Sequence, residues 1–351
     1  MRDMLPVRSP SLVRAVRQWW IAVATAAALA SASVADPADQ PRLSLARVAD
    51  VPLGGHSTRL DYASLDQGRH TLYIAHLGDS AVIVFDAQKQ EVVARIPGIS
   101  EVHGVLAIPE LNTIYASATG TNEVVAIDAG TLRVTARVPG GVYPDGMAYA
   151  PDVHKLYVSD EHGGTEAVID VRTNTLVASI PLGGEVGNSQ YDPESRHVLA
   201  NVQTRRQLVE IDPAVDRIVA RIDLPGAEGN HGLLIEPGQR KAFIACEGNH
   251  KLLVLDLGTR KLSAAFDVGE DPDVLAYDPD LHLVYVAAES GVVAVFRTLA
   301  GRVSKVGEMW VGPNAHVVAV DPVTHRSYFP LRDLGGRTAL RIMMPGPGIE
   351  Q

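Results

Sequence analysis

Residues 145–181 read DGMAYAPDVHKLYVSDEHGGTEAVIDVRTNTLVASIP, and a unit of this kind recurs along most of the chain. The unit contains four short runs rich in β-branched and alternating apolar residues, with turn residues between them. Almost nothing in it has the period of a helix. Four strands in a repeat of this length are typical of one blade of a β-propeller.

The copies of this unit align on one position near the start of each, which we call register zero. It is occupied in turn by Asp61, His103, Asp145, Gly187, His231, Asp273 and His316, at intervals of 42 to 44 residues. A proline lies six places later in six of the seven units, and a tyrosine lies twelve places later in five. The sequence therefore predicts an all-β, seven-bladed β-propeller with four-stranded blades.

The two ends of the repeat array predict how the circle closes. The seventh unit runs out after its third strand, near Ile342, whereas residues 43–48 (LSLARV) form an extra β-rich run before the first unit. An open array would leave unpaired edge strands, which proteins avoid. We therefore expect the N-terminal strand to complete and close the last blade.

Four short motifs carry a family resemblance. Residues 72–75 (LYIA), 114–117 (IYAS), 156–159 (LYVS) and 284–287 (VYVA) are each followed by a further apolar run. They resemble the YVTN-repeat β-propellers of the surface-layer and quinoprotein amine dehydrogenase heavy-chain-like superfamily, although the final asparagine is replaced in every unit, for example by His76. The resemblance implies an exported propeller. Its relatives include surface-layer proteins, haem-handling and amine-oxidising subunits, lactonases and lyases, so the reaction stays open.

The N-terminal segment has the features of a signal peptide. Four arginines within the first 17 residues precede an uncharged, alanine-rich stretch over residues 19–35, which ends in Ser33-Val34-Ala35. The stretch is short and poor in leucine beside the ~20 residues that a spanning helix needs, which disfavours an uncleaved anchor. We predict a signal peptide over 1–35, cleaved near Ala35, and a single propeller domain over 36–351. The mature protein is then periplasmic or secreted, without stable membrane insertion.

Charge and cysteine content exclude several functions. The net charge is −10, and removal of residues 1–35, which carry +3, makes it −13, so nucleic acid is a poor partner. Cys246 is the only cysteine, which excludes a disulfide framework, an Fe–S cluster and a haem c attachment. We expect a monomer whose partner is a small molecule or metal ion, with another exported protein as a further option.

Register zero marks the start of the innermost strand, so its side chains should converge on the central channel. Five of them, imidazoles and carboxylates, form a candidate site for a divalent metal ion: His103, His231, His316, Asp145 and Asp273. With them, Asp61, Asn188 and Arg332 complete a candidate ligand-binding set. The loops on the same face add three candidate catalytic carboxylates, Glu161, Glu247 and Glu289. Glycines after His103, Asp145 and His231 should let the backbone approach closely whatever occupies the site.

The ring allows more than one interpretation. It could be a hydrated polar plug, a site for a small polar ligand or metal ion, or the centre of a metal-dependent hydrolase (lactonase-like) or lyase. A structural or protein-docking propeller is a further alternative. No H-E-x-x-H, C-x-x-C, G-x-S-x-G or EF-hand motif decides between them, so the cofactor is unknown.

Two other polar groups recur at fixed registers and are predicted to be structural. Aspartates end the third strands of five units and should cap tight turns: Asp86, Asp128, Asp170, Asp212 and Asp256. Histidines on the opposite face from the ring should be solvated turn residues: His70, His154, His197, His282 and His325.

Overall fold

The structure is a computed structural model that describes residues 44–347 and residue 349. The predicted signal peptide over 1–35 lies outside the described residues. Within the part of the chain that is described, no helix is long and apolar enough to cross a membrane.

The described residues form seven antiparallel, four-stranded sheets, which confirms the predicted seven-bladed β-propeller. In chain order, with the innermost strand of each blade first, blade 1 contains β2 (Ala63–Asp66), β3 (Thr71–His76), β4 (Ala81–Asp86) and β5 (Glu91–Pro97). Blade 2 contains β6 (Val102–Ile108), β7 (Thr113–Ala118), β8 (Glu123–Asp128) and β9 (Val134–Pro139). Blade 3 contains β10 (Pro144–Ala150), β11 (Lys155–Asp160), β12 (Thr165–Asp170) and β13 (Thr175–Pro181), and blade 4 contains β14 (Val186–Asp192), β15 (His197–Val202), β16 (Gln207–Asp212) and β17 (Arg217–Asp223). Blades 5 and 6 contain β18 (Asn230–Glu236), β19 (Lys241–Cys246), β20 (Lys251–Asp256), β21 (Lys261–Asp267); β22 (Pro272–Asp278), β23 (Leu283–Ala288), β24 (Val292–Leu299), β25 (Arg302–Trp310).

Blade 7 is closed by the N-terminal strand, as the sequence predicts. Its strands are β26 (Ala319–Asp321), β27 (Arg326–Leu331), β28 (Ala339–Pro345) and, outermost, β1 (Leu45–Pro52). β1 runs antiparallel to β28. It continues beyond the predicted run of residues 43–48 as far as Pro52. Arg341 of β28 donates to both oxygens of Asp50 in β1, from Nε at 2.7 Å and from Nη2 at 2.8 Å, so an ion pair strengthens the closure.

The recurring tyrosines of the second strands lie between the blades. All five are at most 1% exposed: Tyr73, Tyr115, Tyr157, Tyr285 and Tyr328. The hydroxyl of Tyr115 donates to Asn174 Oδ1 at 2.7 Å, and that of Tyr157 donates to Asp216 Oδ1 at 2.6 Å. Each acceptor belongs to the outer hairpin of the next blade. All five tyrosines therefore bury apolar area, which explains their recurrence, and Tyr115 and Tyr157 also join neighbouring blades through their hydroxyls.

The recurring aspartates, and all but one of the recurring histidines, occupy the predicted turns. Asp128 Oδ1 accepts the backbone N–H of Thr131 at 2.7 Å, and Asp256 Oδ1 accepts that of Thr259 at 2.8 Å. Four of the histidines on the other face adopt left-handed backbone conformations, with φ between 51° and 56°: His70, His154, His282 and His325. The turn positions of these four are confirmed. The prediction for His197 is wrong, because His197 begins β15, pairs with Asp192 of β14, and has its Nδ1 2.7 Å from Glu210 Oε1.

One buried carboxyl joins blades 3 and 4. Glu166 of β12 is fully buried, and its Oε1 accepts from Ser159 Oγ at 3.2 Å and from Ser189 Oγ of the next blade. Its Oε2 has no hydrogen-bond partner among the described residues. Burial raises the pKa of Glu166 to about 8, so this side chain is protonated at neutral pH.

Candidate functional site

Register zero lies in a β-bulge of the innermost strand in five blades, in β6, β10, β14, β18 and β22. In β10, Pro144 faces Asp160 and Met147 faces Val158, so Asp145 and Gly146 together stand opposite a single residue of β11. A bulge bends its strand and re-aims the bulged side chain. In this propeller the bulges present register-zero side chains to the channel.

The glycines that follow register zero are required by the next blade and not by a ligand. A Cβ at Gly232 would lie 1.9 Å from the carbonyl oxygen of Asp273, and one at Gly104 would lie 2.2 Å from that of Asp145. The sequence correctly predicts a close backbone approach at these positions. The expectation that it serves an occupant of the site is wrong, because the neighbouring innermost strand fills that space.

One end of the channel, which we call the upper end, carries the register-zero side chains and holds a cavity of about 480 Å³. Five of the register-zero residues line it: Asp61, His103, Asp145, His231 and Asp273. All three loop carboxylates line it as well, namely Glu161, Glu247 and Glu289. The ring and these loops therefore share one face, as the alternation of strand direction predicts.

Three residues of the predicted ligand-binding set do not line this cavity. Asn188 lines a smaller cavity of about 180 Å³ further along the channel. His316 is 1% exposed, with its Nε2 3.9 Å from Asp273 Oδ2. Arg332 is exposed, and its backbone carbonyl accepts from Ser57 Oγ at 2.7 Å.

The arginine that reaches the cavity is Arg59. Its Nε donates to Asp61 Oδ2 at 2.9 Å and its Nη1 donates to Glu289 Oε1 at 2.5 Å. Burial opposes its charge, but these two carboxylates outweigh that effect and hold the pKa of Arg59 above its ordinary value. Sequence reasoning missed Arg59 because it lies two places before register zero, where no other unit has an arginine.

Tyr62 forms the floor of the cavity. Its hydroxyl donates to Asn188 Oδ1 at 2.5 Å and lies 3.3 Å from His231 Nε2 and 3.4 Å from Asp145 Oδ2. Because Tyr62 also lines the 180 Å³ cavity, it divides the channel in two. The residue after register zero is glycine in three other blades, so a tyrosine at this place departs from the repeat. That departure is a sequence signal by which Tyr62 could have been found.

His231 is surrounded by carboxylates. Its Nε2 lies 3.5 Å from Asp273 Oδ1 and 3.9 Å from Asp145 Oδ2, and its Nδ1 lies 3.9 Å from Glu247 Oε1. Burial alone would lower its pKa, but the attraction of Asp273, Glu247 and Asp145 is stronger and raises the pKa of His231 to about 9. The ring therefore attracts positive charge strongly.

The pKa values of two buried ring carboxyls are shifted upward. Burial raises the pKa of Asp145 and of Asp273 above the ordinary value, although His231 opposes the shift in both. Burial also raises the pKa of Glu247 to about 7, and repulsion from Asp273 adds to it. Close, buried carboxylates cannot all ionise without a compensating cation.

Four buried atoms of the ring have no hydrogen-bond partner among the described residues: His231 Nδ1, His316 Nε2, Asp145 Oδ1 and Asp273 Oδ1. His316 shows how one of them is prepared. Its Nδ1–H donates to the backbone carbonyl of Asn314 at 3.0 Å, which fixes the tautomer and leaves a lone pair on Nε2. Metal-binding histidines are commonly oriented by such a bond.

The described residues contain two groups whose donor atoms lie within 4.8 Å of one another, as the ligands of one metal ion would. The first group is Asp61, Asp273 and His316, and the second is His231, Glu247 and Asp273. The two groups share Asp273. Of the five predicted metal ligands, the structure thus brings His231, His316 and Asp273 into these groups.

His103 is in neither group, and both of its ring nitrogens are already bonded. Its Nδ1–H donates to the carbonyl of Glu101 at 2.9 Å, and its Nε2 accepts from the hydroxyl of Tyr143 at 3.0 Å. The ring of Tyr143 also contacts that of His162, with centroids 4.2 Å apart. His103 therefore belongs to an aromatic stack at the rim of the cavity.

Comparison with known proteins supports the fold alone. No family model matches the sequence, and no curated protein matches it. Among solved structures, Kuenenia stuttgartiensis hydrazine synthase is 15% identical with a TM-score of 0.71, covering 85% of this chain and 97% of that chain. The U3-55K structure is 11% identical with a TM-score of 0.73, covering 86% of this chain and all of that chain. Membership of the YVTN-repeat family stays a prediction.

Proposed function

We propose that this propeller binds a divalent metal ion at the ring of histidine and aspartate side chains at the upper end of its channel. The observation that carries the proposal is the set of four buried ring atoms without hydrogen-bond partners among the described residues. An unpaired buried polar atom costs about 1–3 kcal/mol, and a metal ion would satisfy several of them at once.

The charge balance of the cavity favours a cation over an anionic ligand. Seven carboxylates line it and one arginine, Arg59, already pairs with two of them. A bound cation would relieve the repulsion that contributes to the raised pKa of Glu247. It would replace the proton that His231 otherwise carries, because only a neutral imidazole offers its lone pair to a metal.

The donor atoms favour a transition metal such as Zn²⁺ or Mn²⁺. The two groups combine imidazole nitrogens with carboxylate oxygens, whereas Ca²⁺ and Mg²⁺ prefer oxygen ligands alone. Sulfur takes no part, because Cys246 is fully buried and does not line the cavity.

Metal content and calorimetry test the proposal. Protein treated with a chelator and dialysed is titrated with Zn²⁺, Mn²⁺, Ca²⁺ and Mg²⁺, alongside Asp273→Asn and the matched control Asp271→Asn. Asp271 is 59% exposed, does not line the cavity and has a φ of 51°, which asparagine tolerates. We expect the parent and Asp271→Asn to bind Zn²⁺ or Mn²⁺ and Asp273→Asn to bind at least tenfold more weakly. Equal binding by the two variants, or none by the parent, would contradict the proposal and favour a hydrated plug.

Metal-dependent hydrolysis, as in a lactonase, or elimination is a second candidate. The cavity of about 480 Å³ is much larger than an ion and falls in the range of roughly 300–1,000 Å³ of small-molecule sites. Glu161 lines the cavity and belongs to neither donor group, so its carboxylate is the one placed to move a proton while a metal ion is bound. A lactone panel assayed with the metal-loaded parent tests it, since no turnover above the chelated protein would leave the binding role alone.

Export to the periplasm or the medium is a further part of the proposal, supported by the sequence of residues 1–35. Mature protein should begin at or near Asp36. Detection of Met1 on a membrane-bound form by N-terminal sequencing would instead indicate an anchor.

A further inference from the structure

The two oxygens of Asp273 point to different histidines. Oδ1 lies 3.5 Å from Nε2 of His231, and Oδ2 lies 3.9 Å from Nε2 of His316. Asp273 is 5% exposed, and its Oδ1 has no hydrogen-bond partner among the described residues. A single carboxylate therefore stands between two separate imidazoles.

These separations suit ligands of a shared ion better than hydrogen bonds. A nitrogen and an oxygen bonded to each other through a proton lie about 2.7–3.2 Å apart. Two ligand atoms on one metal ion, each about 2.1 Å from it, lie roughly 3.0–3.5 Å apart. Both observed distances exceed the first range. The 3.5 Å separation already lies at the end of the second range, and the 3.9 Å separation needs to contract by only about 0.4 Å to reach it.

We propose that the ring holds two metal ions bridged by the carboxylate of Asp273, an inference that rests on the proposed function. The inner ion is bound by Asp61, Asp273 and His316, and the outer ion by His231, Glu247 and Asp273. A carboxylate that binds one ion through each oxygen holds the ions close together, as in two-metal sites with about 3.5–4 Å between the ions.

The surroundings of the two positions differ. The three ligands of the inner ion are each at most 5% exposed, and two of them are fixed by other groups. Arg59 donates to Oδ2 of Asp61, and the carbonyl of Asn314 orients His316. In the outer group Glu247 is 37% exposed and lines the cavity. The inner ion should therefore exchange slowly, whereas the outer ion keeps coordination positions open to the cavity.

Titration of the full mature chain with Mn²⁺ tests the bridge. Bound metal is counted by elemental analysis, and electron paramagnetic resonance distinguishes two coupled ions from isolated ones. We expect two ions and a coupled spectrum for the parent and for the control Asp271→Asn. His316→Gln and Glu247→Gln should each retain one ion with an isolated-ion spectrum, and Asp273→Asn should lose the coupling and bind fewer than two.

Other outcomes would separate this inference from the proposed function. One ion per parent chain with an isolated-ion spectrum would overturn the bridge and leave the metal-binding function standing. No bound ion would overturn both. A coupled spectrum that persists in Asp273→Asn would overturn the role of Asp273. Asp61→Asn provides a second way to remove the inner ion if His316→Gln unfolds, which thermal denaturation of each variant would reveal.

Discussion

Replacing Glu166 by glutamine should stabilise the propeller, and more strongly as the pH rises. The folded-state pKa of Glu166 is raised from 4.5 to about 8 by burial, so the folded chain binds a proton here that the unfolded chain releases. The contribution of Glu166 to the free energy of unfolding is therefore fully present below about pH 4.5 and is lost as the pH rises toward 8. Glutamine is neutral at every pH and can still accept from the hydroxyls of Ser159 and Ser189.

The size of the effect follows from the shift. At pH 7 the carboxyl of Glu166 is ionised in the unfolded chain and protonated in the folded chain. Between pH 4.5 and 8, each pH unit therefore lowers the free energy of unfolding by about 1.4 kcal/mol. The parent thus loses about 3 kcal/mol between pH 4.5 and 7, which Glu166→Gln does not lose. The unpaired Oε2 becomes an unpaired amide, so this part of the cost is nearly unchanged.

Urea denaturation followed by far-ultraviolet circular dichroism at pH 5, 6, 7 and 8 measures the difference between variant and parent. Other titrating groups cancel in that difference when they lie far from Glu166. Glu194→Gln is the matched control because its side chain is exposed, and it should change stability by less than about 0.5 kcal/mol at any pH. A Glu166→Gln effect that stays constant from pH 5 to 8 would refute the argument that this carboxyl is buried in its protonated form.

Three further changes test the architecture around the site. Deletion of residues 36–53 removes β1 and exposes the edge of β28, so we expect a lower melting temperature or aggregation; an unchanged melting temperature would show that β1 is not needed for closure. Gly232→Ala places a Cβ 1.9 Å from the carbonyl of Asp273 and should cost about 1–3 kcal/mol in urea denaturation, whereas Gly258→Ala, whose nearest contact is 3.5 Å, should not. Tyr62→Phe keeps the floor but removes the bond to Asn188, and should cost about 0.5–1.5 kcal/mol; equal stability would mean that this bond contributes nothing.

The fold could be predicted from the sequence because each blade repeats the same physical solution. A tyrosine such as Tyr115 or Tyr157 recurs where two blades meet, and the closing strand follows from the need to pair the edge of the last blade. Averaging over seven units makes such positions visible in one sequence. Averaging over the units does not reveal a residue that occurs in one unit only. Arg59 and Tyr62 are such residues, and both line the cavity from a single blade.

The repeat could not tell which ring members are free to bind a ligand. His103 and His316 occupy the same register, and in both Nδ1 donates to a backbone carbonyl two residues earlier. They differ at Nε2, which meets the hydroxyl of Tyr143 in one case and only the distant carboxylate of Asp273 in the other. That difference comes from a residue of the adjacent blade, which the register of either histidine does not contain. The repeat brings donor atoms to one end of the channel, but neighbouring side chains decide which of their lone pairs remain unpaired.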